Sequence, residues 1–160
     1  MFDQILGLPA HPLIIHFAVV LTPLLVVAAA VYALLPRWRP YVAWAVVLLC
    51  LAAPAAVYAA KESGESLKAA RFATAGGEVG ARISTHQSFA NPLLLSVLGL
   101  AAAALLLVYA TRPARDSVGG DRFGRAATLT LSGLTLALAG VASYYVFRAG
   151  DSGARAVWGL

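Results

Sequence analysis

Charge and cysteine are both scarce in this chain. Of its 160 residues only 12% are charged, whereas 61% are hydrophobic, and the mean hydropathy is +0.80. A soluble globular domain carries about 25% charged and roughly 45–50% apolar residues. The apolar excess is too large for a soluble core and excludes disorder. The single cysteine, Cys50, lies inside an apolar run. It rules out an intramolecular disulfide, a Cys-x-x-Cys-His haem attachment and an iron–sulfur ligand set, and reads as a small core residue. There is no His-Glu-x-x-His and no Gly-x-Ser-x-Gly, so neither a zincin nor a hydrolase nucleophile elbow is present. No Lys or Arg precedes the first apolar run, so the charged start of a signal peptide is missing and the first span reads as retained.

What remains is membrane helix. A hydrocarbon core of about 30 Å needs roughly 20 apolar residues in a helix. Four stretches without Lys, Arg, Asp or Glu meet this: 12–35, 41–60, 92–111 and 126–147. Period-two alternation is absent, which argues against a membrane β-barrel. The expected fold is an all-α integral membrane four-helix bundle, one domain over 1–160, with a partly amphipathic connector at 61–91. No internal repeat is evident, although two helical hairpins fit the pattern. The small-residue pairs Gly99/Ala103, Gly133/Ala137 and Ala139/Ser143 suit close packing within one bundle or in a homo-oligomer. Pro23 and Pro54 should kink their helices or free a carbonyl.

The formal charge of +5 comes from basic residues in short groups between the spans, the habit of membrane-flanking loops rather than of a nucleic-acid face. Lys and Arg divide equally between the two sides. Arg37, Arg39 and the Arg112–Arg125 loop crowd close to span ends, which places those loops in the cytoplasm and both termini outside it. Tyr32, Trp38, Tyr41, Trp44 and Tyr109 would line one interface, and Tyr58, Tyr144 and Tyr145 the other.

All three histidines fall at one end. His11 and His16 open the first span and His86 precedes the third; spans one and three run in the same direction, so the histidines share one leaflet. His16 sits about 6 Å deeper than the helix start, where an ionisable group faces the bundle interior and needs a partner. His11 and His16 diverge by about 140° on a regular helix, so His86 is the expected partner of His16. Asn91-Pro92 reads as an N-cap and first-turn proline, which leaves His86 on a non-helical approach. A helix start near Ser84 would instead give His86 a rigid backbone.

The run Gly7-Leu8-Pro9-Ala10-His11-Pro12-Leu13-Ile14-Ile15-His16-Phe17, the four-span pattern and the histidine before the third span resemble the bacterial membrane family catalogued as domain of unknown function 2231. The His11-Pro12-x-x-x-His16-Phe17 core is the most specific part, with Ser63-Gly64-Glu65 as support. The chain departs from the family's habit at Ala18-Val19 and at Gln87, where an acidic orienter for His86 is missing. Relatives joined to Rieske-type or cytochrome c domains imply an electron-transfer setting.

Three readings of the histidines follow. In the first, His16 and His86 are axial ligands of a haem b near His11, with Arg148, Lys61 or Arg82 on its propionates. Tyr58, Phe89, Tyr144 and Tyr145 form its walls, and electrons pass to an external redox protein or a quinone. In the second, His11, His16 and His86 hold zinc or copper, with Glu62 or Glu65 assisting. In the third the histidines are structural and the chain is a cofactor-free accessory or assembly subunit. The segment from Lys61 to Phe72 is expected to lie on the membrane surface beside this site.

Overall fold

Each of the four apolar stretches is helical in the computed structural model, which describes residues 4–5, 8–112 and 122–158. A short antiparallel ladder, β1 (Gln4–Ile5) with β2 (Leu8–Pro9), precedes α1 (Ala10–Leu34). A 3-10 turn (Pro36–Trp38) leads into α2 (Arg39–Arg71). Then follow α3 (Gly77–Ser88), α4 (Ala90–Thr111) and α5 (Gly124–Trp158). Four helical stretches are long and apolar enough to cross a membrane, and the chain is an all-α, multi-pass membrane bundle. Most of the Arg112–Arg125 loop, residues 113–121, lies outside the described residues.

Two helices overrun their apolar stretches at the same end of the bundle. Beyond Ala60, α2 continues to Arg71, and beyond Phe147, α5 continues to Trp158. Ion pairs at helical spacing line both extensions: Lys61 Nζ to Glu65 Oε1 at 2.8 Å, and Arg155 Nε to Asp151 Oδ2 at 3.0 Å. Each adds a few tenths of a kcal/mol to helix already anchored in the bundle. The segment after Lys61 is therefore a continuation of α2, not the surface-lying connector that its composition suggests. The chain reverses after Phe72, and Gly77, with φ at +62°, supplies the left-handed residue that opens α3. His86 thus stands in the last turn of a helix, and α4 opens at Ala90 with Pro92 in its first turn, two residues earlier than Asn91 as a cap would have it.

The helices form a ring in which α1 packs along α2 and α5, and α4 packs along α5 and α2, with α1 and α4 on a diagonal. The α3 helix lies chiefly against α5. This ring repeats itself. Laying His11 on His86 matches the buried positions Ala18, Thr22, Leu25, Ala29 and Tyr32 of α1 with the buried Leu93, Val97, Leu100, Ala104 and Leu107 of α4, one for one. Laying Ser63 on Ser152 matches the buried Val46, Cys50 and Ala53 of α2 with Thr135, Ala139 and Ala142 of α5. The bundle is two hairpins in parallel repetition. Along the spans the repeat lies in burial register more than in residue identity, which is why the sequence shows none at first sight.

Several interface expectations change. Trp38, Tyr41, Trp44 and Tyr109 are exposed, as a belt requires, but Tyr32 is buried and its hydroxyl lies 2.7 Å from Thr111 Oγ1. Tyr145 packs against the core. Gly99 admits Leu138 of α5 inside the bundle, whereas Gly133 and Ala137 face outward.

Candidate functional site

The start of α1 sets His11 beside the extended end of α2. Its Nδ1 lies 3.1 Å from Ser63 Oγ, and Ser63 Oγ–H donates to the Ala60 carbonyl at 3.0 Å. With the hydroxyl hydrogen so directed, Oγ has only acceptor capacity left for the ring. In that arrangement the ring donates from Nδ1 and Nε2 keeps its lone pair.

The same unit stands across the ring of helices. The Nδ1 of His86 lies 3.1 Å from Ser152 Oγ, whose hydroxyl donates to the Ala149 carbonyl at 3.2 Å. With that hydroxyl so directed, the His86 ring donates from Nδ1 in the same way. Both serines are buried and both histidines half-buried. A glycine follows each serine and forms the floor of each cradle. A Cβ on Gly64 would stand 3.0 Å from Cε1 of His11, and a Cβ on Gly153 would stand 3.0 Å from Cε1 of His86. Buried Ala18 of α1 and buried Leu93 of α4 each lie seven residues further along the chain from these histidines.

His16 does not join this pair. It is exposed on the outer face of α1, and its Nδ1–H donates to the Pro12 carbonyl one turn back at 2.5 Å. The inward partner of His86 is His11, five residues earlier. The reason is the angle between the two α1 histidines: α1 is helical from Ala10, so only one can face inward, and the buried stripe through Ala18, Thr22 and Leu25 selects the position seven residues before Ala18. Accordingly, the described residues contain no group of three or more His, Cys, Asp or Glu side chains placed to hold a metal, and the three-imidazole arrangement is not formed.

The expected walls and counter-charges are exposed or already paired. Tyr58 and Tyr144 are more than half exposed, at 54% and 53%. Arg148 is exposed, with its guanidinium 4.9 Å above the Phe89 ring and 5.9 Å from that of Tyr144. Arg82 pairs with Glu78 and donates to the Arg155 carbonyl, and Lys61 pairs with Glu62 and Glu65. Lys68 Nζ donates to Gln87 Oε1 at 2.6 Å and ties α2 to α3.

The sequence held a signal for the serines and glycines. Val57-Tyr58-x-Ala60-x-Glu62-Ser63-Gly64 recurs as Val146-Phe147-x-Ala149-x-Asp151-Ser152-Gly153. Neither copy contains a residue type that announces chemistry, and only their common spacing does. A family model described as a predicted membrane protein (DUF2231) matches residues 7–160. No curated protein and no solved structure matches the chain.

Proposed function

The chain belongs to the DUF2231 family of predicted membrane proteins, and from that premise we propose that it is a small membrane electron-transfer protein that holds a haem b between His11 and His86. One observation carries this reading: two imidazoles at one end of the bundle, His11 at the start of α1 and His86 at the end of α3, each with Nδ1 3.1 Å from a serine Oγ and with no hydrogen-bond partner on Nε2 among the described residues. A haem iron takes two axial ligands, and imidazole is a standard one. Four-helix bundles build such sites from side chains on facing helices. The donor set fits the group: both Nε2 atoms are neutral donors, and the buried positions seven residues further along, Ala18 and Leu93, are apolar. When bound, the group supplies one-electron chemistry. The chain's own part is to orient two rings, hold their protons on Nδ1 and set the exchange at one membrane end. That end would meet an external redox protein or a quinone. With the histidine end outside the cytoplasm, as the crowding of Arg37 and Arg39 near span ends suggests, the protein would work at the outer face of a bacterial plasma membrane.

The test is an optical spectrum of protein purified in detergent from haem-replete cells. The expected result is a Soret band with a low-spin, two-imidazole signature, lost in both His11→Ala and His86→Ala. A colourless wild-type protein, or a band that survives both substitutions, overturns the reading. Bound zinc or copper without a Soret band would favour a metal site on the same two nitrogens.

A further inference from the structure

We infer that Ser63 and Ser152 are paired positioning residues, which select Nε2 as the ligating atom of His11 and His86 and raise the donor strength of each ring by the same amount. This inference rests on the haem reading and goes beyond it, because it assigns a tuning role to two residues that touch no ligand themselves. Its basis is the duplication. The Nδ1–Oγ distance is 3.1 Å in both cradles, and each serine hydroxyl is directed to the carbonyl three residues before it.

That direction matters chemically. A serine whose hydrogen is committed to a carbonyl acts on the imidazole only as an acceptor. An accepted Nδ1–H bond pushes electron density into the ring and makes Nε2 a stronger donor, the general behaviour of partners behind a ligating histidine. A stronger axial donor favours the oxidised metal. Two equivalent serines therefore hold the reduction potential lower than two free imidazoles would, and they do so in equal shares. Gly64 and Gly153 complete each cradle by letting the ring lie against helix backbone, at a separation that no Cβ would leave undisturbed.

The experiment measures haem affinity and midpoint potential of the full-length protein in detergent, for wild type, Ser63→Ala, Ser152→Ala, the double variant and Ser63→Thr. Each alanine variant is expected to bind haem about 10- to 100-fold more weakly and to shift the potential upward. The two single shifts should be similar and the double shift close to their sum, and Ser63→Thr should restore the wild-type potential because it keeps the hydroxyl. If wild-type protein binds haem and the alanine variants keep its potential, the inference is overturned while the haem reading stands. Weaker binding with no shift in potential also overturns it, since that pattern reports packing alone. A wild-type protein that takes up no haem would instead sink the haem reading.

Discussion

Gly64 lies flat against the imidazole of His11. A Cβ at that position would stand 3.0 Å from Cε1, 3.3 Å from Nδ1 and 3.6 Å from Nε2, and Gly153 stands to His86 in nearly the same way. Contacts this short require the ring to swing, and a swing of a few tenths of an ångström lengthens the 3.1 Å bond to serine. Gly64→Ala and Gly153→Ala are thus expected to weaken haem retention without unfolding the bundle. Both lie on the helical extensions, where alanine itself favours helix by up to about 1 kcal/mol. The measurement is haem content alongside far-ultraviolet circular dichroism. Unchanged haem content in both variants would show that the rings are not held by the glycine floor.

His16 offers the opposite case. Its ring is exposed and its Nδ1–H is satisfied by the Pro12 carbonyl of its own helix. His16→Ala should leave haem content and spectrum as in wild type, and stability within about 0.5 kcal/mol, as for surface substitutions away from special features. Loss of the Soret band in this variant, with His11→Ala silent, would reverse the assignment of the two α1 histidines.

The fold was legible because the lipid environment writes it in composition: uncharged runs of helical length leave few alternatives. The site was legible only in part. Topology alone gathers His11 and His86 at one end, but the choice between His11 and His16 depends on which face of α1 is buried. Apolar residues surround both faces of a membrane helix, so the sequence carries little contrast there. Ala18, Thr22 and Ala29 mark the buried stripe, and these are small residues, as helix contacts in lipid require. Ser63 and Ser152 were harder still. They lie past the apolar stretches, where Lys61, Glu62 and Asp151 suggest solvated connectors, while the helices run on because they are anchored below. The repeat of Ala-x-x-Ser-Gly needed both copies to be compared before either meant anything.

At the other end of the bundle, buried Tyr32 and half-buried Thr111 form a cross-helix pair. Thr111 Oγ1–H donates to the Leu107 carbonyl at 2.8 Å, so the Tyr32 hydroxyl is the donor in the 2.7 Å bond between them. Arg39 reinforces the corner, with Nε donating to the Tyr32 carbonyl at 3.1 Å and the guanidinium 5.6 Å above the ring. A double-mutant cycle of Tyr32→Phe and Thr111→Val should give a coupling of about 0.5–1.5 kcal/mol, in the range of hydrogen bonds between membrane helices. Denaturant titration in mixed micelles measures it. Strict additivity would mean the two hydroxyls do not meet in the folded protein.

Thr22 differs from Thr135 and Ser96 in its hydroxyl. Thr135 donates to the Leu131 carbonyl at 2.8 Å and Ser96 to that of Leu93 at 2.8 Å. Thr22 is fully buried, yet its Oγ1 finds no hydrogen-bond partner among the described residues. An unsatisfied buried hydroxyl costs about 1–3 kcal/mol, and a methyl of the same shape removes that cost. The matching position in the second hairpin is Val97, also fully buried, which shows that the core takes valine in this layer. Thr22→Val should therefore stabilise the protein by about 1 kcal/mol, read as a higher midpoint in the same micellar titration, with the spectrum at the histidine end unaltered. Thr135→Val, which removes a satisfied donor, should give no such gain. A clear loss of stability in Thr22→Val would mean that the hydroxyl has a working partner in the folded bundle and is held there for it.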